Sequence, residues 1–262
     1  MKTLLDYSIY DGQWTMYQSV LCGVAASVDY PHPTNRNLAI TERCYAYINQ
    51  LQLVFDAYAE LEDIHSSINS ADDKSAEPNH FSAYDLRAVD RENHCRDYSY
   101  LLITSLKSLL DIFACLVEET LTETVIDEDQ MTDIRKIRRG LNKPGFQPML
   151  AAFERFNRYL WINNIAEIRN RLIHRGYRTK PDFGFRKSDD LTIKILSANN
   201  PPYATIKIGQ LFEEFITSLP EMEKEVSNIL ISLLPTLQQG PRLNFFYRAG
   251  GGITEYIFKE TD

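Results

Sequence analysis

Apolar residues recur at helical spacing in four long segments of the chain. Over 41–64, Leu51, Val54, Phe55, Tyr58 and Leu61 fall three and four apart, which is one face of a helix. Over 96–121, Leu102, Leu106, Leu109, Phe113 and Leu116 make a second stripe beside a narrow polar strip of Thr104, Lys107, Ser108 and Asp111. Apolar residues also flank that strip, so this helix is expected to be central and its strip to face something specific. Over 148–174, Trp161, Ile165, Ile168 and Leu172 keep the i, i+4, i+7, i+11 spacing of a buried stripe. Pro148 suits the first turn of that helix, a break is expected near Asn157, and Gly176 is a stop signal. Over 210–234, Leu211, Phe215, Leu219, Val226, Ile229 and Leu233 make the fourth stripe, with Pro220 expected to kink or interrupt it.

Two short stretches, 191–196 and 204–208, alternate with the period of two that marks strands, and Asn199-Asn200-Pro201-Pro202 between them is a turn signal. A closing hairpin is expected over 243–258, around Gly250, Gly251 and Gly252. Residues 1–40 are a poorly patterned lead-in with a turn at Pro31-His32-Pro33, and 66–79 reads as an exposed loop. The pattern predicts a mainly α protein, a helical bundle of four long helices with small β-hairpin additions. The expected division is a helical extension over 1–94 with a flexible loop near 66–80, a bundle over 95–235 with a β insertion at 182–208, and a hairpin tail over 236–262.

The 262 residues are 44% hydrophobic and 24% charged, which is the balance of a globular chain that buries a core. Formal net charge is −8 and the pI about 5.2, so any nucleic-acid site must be a local basic patch on a surface that otherwise repels polyanions. Cys22, Cys44, Cys95 and Cys115 form no C-x-x-C pair and fit neither a zinc site nor a disulfide framework. Ordinary buried thiols of a cytoplasmic protein are expected. There is no apolar run of signal or membrane-spanning length, so neither secretion nor a membrane partner is expected. Asp127, Asp129 and Asp133 resemble the start of a calcium loop, but Thr132 stands where its glycine belongs and Arg138 where its last glutamate belongs. No metal or other cofactor is expected, and phosphate-binding glycine loops and nucleophile elbows are missing.

The densest chemistry lies in Glu167-Ile168-Arg169-Asn170-Arg171-Leu172-Ile173-His174-Arg175-Gly176-Tyr177. An arginine, a following polar residue and a histidine five positions after the arginine, closing a helix, resemble the signature of the HEPN superfamily. The resemblance spans roughly 95–235. It implies a HEPN-like bundle and a metal-independent ribonuclease, acting as a toxin or defence effector, with catalytic residues Arg169, Asn170 and His174. It also implies a homodimer, because paired domains of that family face their motifs toward each other. The alternative it carries is a non-catalytic module that binds a nucleotide, an antitoxin or a nucleotidyltransferase partner.

The residue types suit that chemistry. RNA cleavage without metal needs a base for the ribose 2′-hydroxyl and a cation for the charge that gathers on phosphorus. Histidine titrates near neutrality and moves the proton. Arginine stays charged and offers a planar fork to phosphate oxygens. On an ideal helix Asn170 and His174 share a face, whereas Arg169 and His174 stand about 140° apart. Either the helix ends near His174 or two copies complete one site. Asp111 either orients Arg169 or pairs with Lys107, and Tyr177 either packs or stacks on a base. Arg169, Arg171, Arg175, Arg178 and Lys180, with Arg135, Lys136, Arg138, Arg139 and Lys143, gather 10 of the 28 Lys and Arg into two acid-free runs. These runs are the candidate RNA-binding surface.

Overall fold

The structure is a computed structural model that describes residues 19–26, 34–71, 81–121, 145–174, 182–183, 192–196 and 203–233. Six helices are found among them: α1 (Val20–Ala26), α2 (Thr34–Ala71), α3 (Phe81–Leu121), α4 (Gln147–Phe156), α5 (Leu160–His174) and α6 (Ile208–Leu233). The strands are β1 (Asp182–Phe183), β2 (Thr192–Leu196) and β3 (Tyr203–Lys207), an antiparallel sheet in the order β1-β2-β3. Thr192 faces Lys207 and Leu196 faces Tyr203, while Phe183 pairs with Ile193. The protein is mainly α, as its apolar periodicity requires. The turn at 199–202 and the hairpin expected over 243–258 lie outside the described residues.

Several elements depart from their expected bounds. The lead-in holds a helix, α1, whose N-cap is Ser19: its Oγ accepts from Cys22 N–H at 3.1 Å and its carbonyl from Gly23 N–H at 3.1 Å. Helix α2 begins at Thr34, not 41, and runs on through 66–71, part of the stretch read as a loop. Once a packed segment has paid the cost of nucleation, each further residue adds a hydrogen bond, so Ser and Asn persist in helix where their own preference is weak. Helix α3 likewise starts at Phe81. At 157–159 the backbone breaks as expected, tightening into i, i+3 bonds from Arg158 N–H to Arg155 O and from Tyr159 N–H to Phe156 O. Pro220 lies inside α6 without ending it. It has no N–H to reach back to the Ile216 carbonyl, so the helix tolerates one missing rung.

The described residues fall into two compact units. One is drawn from 49–71, 81–110, 154–174, the strands and 208–221. Its core is aromatic: Phe55 meets Phe212 edge-on at 5.4 Å, Trp161 meets Phe215 edge-on at 5.2 Å, and Tyr58 stacks on Phe212 at 3.6 Å. Leu102, Leu106 and Leu109 of α3 are fully buried there. The second unit is drawn from 19–26, 34–48, 111–121, 145–153 and 222–233. Phe113 is its centre, flanked by Tyr47 at 6.2 Å and Phe153 at 6.0 Å. Each fully buried side chain of this size contributes about 1.5–3 kcal/mol by leaving water. The segment Asn93–Leu121 has the length and apolarity of a membrane span, but 67% of its most apolar window is buried within the protein. It is a core helix, as its stripe of leucines indicates.

Candidate functional site

The candidate site is the C-terminal end of α5, in the first unit. This helix is built from its start. Trp161, Ile165 and Ile168 are buried along one face, and Asn163, Asn164 and Glu167 are exposed on the other. Two polar bonds fasten its first turn to α6. The Glu214 carboxylate accepts from Trp161 N–H at 2.9 Å, which satisfies one of the free amides every helix start leaves. One turn further along α6, Ser218 Oγ accepts from Trp161 Nε1–H at 2.7 Å, deep in the core. The first turn of α5 is therefore fastened at Trp161, and Ile165 and Ile168 continue its burial along the same face.

At the far end Arg169 is half-buried and Asn170 exposed. The two neighbours are joined: Arg169 Nη1 donates to Asn170 Oδ1 at 3.2 Å. That bond uses the amide oxygen as the acceptor, so what the Asn170 side chain has left for an incoming phosphate oxygen is its N–H donors. The guanidinium fork carries further N–H groups beside them. The helix is described as far as His174, and the residues beyond it, 175–181, lie outside the described residues. Regular α geometry then puts His174 one turn from Asn170 and about 140° around from Arg169. The sheet lies beside this helix, through β2.

The structure joins Arg169 to Asn170 and carries His174 on the same helix. The side chains of Arg171 and His174 lie outside the described residues, as do Arg175, Arg178, Lys180 and the run Arg135, Lys136, Arg138 and Arg139. Asp111 is half-buried on α3 and belongs to the second unit. Thr104, from the same polar strip, turns back on its own helix, its hydroxyl within 2.8 Å of the Tyr100 carbonyl and 3.0 Å of the Leu101 carbonyl. Among the described residues no group of three or more His, Cys, Asp or Glu is placed to hold a metal ion. All four cysteines are buried free thiols.

Two polar clusters in the second unit were not foreseen. Glu223 is buried at the start of α1: its Oε2 accepts from Val20 N–H at 3.1 Å and its Oε1 from the Tyr47 hydroxyl at 2.8 Å. Burial raises the pKa of this carboxyl, and its bonds to Tyr47, Ser19 and the backbone of Val20 and Leu21 offset only part of that rise. Tyr47 is pushed well above its ordinary value, first by burial and then by the charge of Glu223. The second cluster is an ion pair in which Arg43 Nε and Nη2 reach the Glu119 carboxylate at 3.2 and 3.0 Å. A signal for Glu223 exists in the sequence, since it sits in the apolar row formed by Leu219, Val226 and Leu230. An acid in such a row must be paired or neutral. No protein-family model, no curated protein and no solved structure matches this chain.

Proposed function

We propose that this chain is a HEPN-like, metal-independent endoribonuclease, a toxin or defence effector of the cytoplasm that works as a homodimer on single-stranded RNA. The observation that carries the reading is the Arg169–Asn170 pair, bonded at 3.2 Å on the last turns of a helix whose root is fixed in the core. In this reading His174 takes the proton of a ribose 2′-hydroxyl. The freed oxygen attacks the adjacent phosphorus, and the bond to the 5′-oxygen of the next nucleotide breaks as that oxygen takes up a proton from water, the proton held by His174 then returning to solvent. Arg169 holds the charge that builds on the phosphate oxygens, and Asn170 positions them through its amide. The products are a 2′,3′-cyclic phosphate and a 5′-hydroxyl. Because Arg169 and His174 diverge by about 140° on one helix, a facing copy supplies the complementary half of the cleft.

Purified full-length protein is expected to cut labelled single-stranded RNA in EDTA, leaving cyclic-phosphate ends. His174→Ala should abolish cutting while the circular-dichroism spectrum is unchanged, and Arg169→Ala should slow it by about 10²–10³-fold. Light scattering should show a dimer. Cutting at the same rate in His174→Ala, or only with added metal, rejects the mechanism. RNA or nucleotide binding without cutting assigns the chain to a non-catalytic role.

A further inference from the structure

Helices α1 and α2 meet through two cysteines. The Cys22 thiol points at the Cys44 carbonyl at 3.9 Å, and the Cys44 thiol points at the Cys22 carbonyl, also at 3.9 Å. Both residues are fully buried. A contact that is reciprocal in this way sets the two residues side by side with their sulfurs between the two backbones. A disulfide needs Cα atoms about 4.4–6.8 Å apart with side chains facing each other, and two thiols that each reach the other residue's carbonyl are neighbours of the kind that requirement selects. We propose that Cys22 and Cys44 form an oxidation-sensitive pair, closed to a disulfide by a small hydroperoxide, which ties α1 to α2.

The chemistry balances with hydrogen peroxide as the oxidant. One thiol releases its proton and its sulfur attacks a peroxide oxygen. The O–O bond breaks, and the departing hydroxide takes up a proton and leaves as water, so that sulfur becomes a sulfenic acid. The second sulfur then attacks the first, the S–O bond breaks, and the leaving hydroxide carries off the second thiol's proton as another water. Two sulfurs each lose one electron to the peroxide. A third ligand that would make the pair a metal site is lacking among the described residues.

The neighbourhood explains why the pair stays reduced at rest. Burial first, and then the adjacent Cys44 thiol, hold Cys22 in its neutral form, and a neutral thiol is a poor nucleophile. Reaction therefore needs α1 to open. That helix is held by the Ser19 cap, by bonds from Ser19 and the backbone of Val20 and Leu21 to Glu223, and by the cysteine contact itself. Single elements open locally more often than the whole fold unfolds.

The test is a thiol map of the full-length protein. After peroxide treatment, free thiols are alkylated in denaturant and the chain is cut with trypsin. Cleavage after Arg36 and Arg43 puts the two cysteines on different peptides. A linked peptide containing Cys22 and Cys44 is expected, with alkylation lost at both, retained at Cys95 and Cys115, and restored by dithiothreitol. The melting temperature should rise by several degrees on oxidation. The same linkage should persist in a Cys95→Ala/Cys115→Ala variant and vanish in Cys44→Ala. Should Cys44→Ala not fold, the wild-type map decides alone. Full alkylation of Cys22 and Cys44 after treatment, or linkage of either to another cysteine, overturns the proposal.

Discussion

The Tyr47 hydroxyl donates to the Glu223 carboxylate at 2.8 Å inside the second unit, where both side chains are buried. The carboxyl's pKa lies above its ordinary 4.5 in the folded protein, because burial disfavours the charged form. Folding therefore favours the protonated acid. Its contribution to stability is fully present below 4.5 and is lost as pH rises through the raised folded value, beyond which it changes no further. Glu223→Gln stays neutral and still accepts from Val20 N–H while donating to Tyr47. Urea midpoints across pH should show wild type losing stability relative to Glu223→Gln as pH climbs above 4.5. Parallel curves would contradict the assignment.

Trp161 gives a second measurement. Ser218→Ala leaves the indole N–H buried without its acceptor and should cost about 1–3 kcal/mol. Trp161→Phe removes the donor as well, so adding Ser218→Ala to it should cost far less than Ser218→Ala alone. Denaturant unfolding of the two single variants and the double variant measures this coupling, and full additivity would show that the 2.7 Å bond contributes nothing.

The Arg43–Glu119 pair is predicted to be costly to break and cheap to replace. The Glu119 side chain is only 2% exposed and that of Arg43 16%. Removing either partner takes from the other charge the bidentate bonds of the pair and should cost about 3–5 kcal/mol, whereas Arg43→Met with Glu119→Leu should stay near wild-type stability. Chemical denaturation of the two single variants and the double variant gives the comparison. A double variant as unstable as the sum of the singles would refute it.

Two glycines should respond in opposite directions. Gly23 lies on the exposed face of α1 with open space where a Cβ would stand, so Gly23→Ala should stabilise by about 0.5–1 kcal/mol. Gly145 has φ +102° just before α4, and Gly145→Ala should destabilise by about 1–3 kcal/mol. Thermal melts of the two variants check both signs.

The apolar stripes of α2, α3, α5 and α6 were legible because helical burial is written locally, every three or four residues. Leu51, Leu106, Ile165 and Phe215 are all buried where their spacing placed them. Helix α1 was not legible: seven residues with a glycine among them give too few turns to display a period. The polar ends of α2 read as loop because Ser and Asn favour caps and turns in isolation, while a long packed helix carries them along. Glu223 was hidden by Pro220, which suggested a break and so split one continuous row in two. At the candidate site, the identities and order of Arg169 and Asn170 were plain. The bond between their side chains is a choice of rotamers that no spacing encodes.

Helix α5 is tied to α6 at Trp161 by two hydrogen bonds and carries Arg169 and Asn170 toward its other end, so a tilt at its first turn is magnified along its length. From Trp161 to His174 is roughly 20 Å at 1.5 Å per residue. A swing of about 10° at the pivot sweeps the tip through roughly 3 Å, more than the tolerance of a hydrogen bond. A substitution at the indole or its hydroxyl partner that tilts α5 should therefore displace Arg169 and Asn170 as well as lower stability.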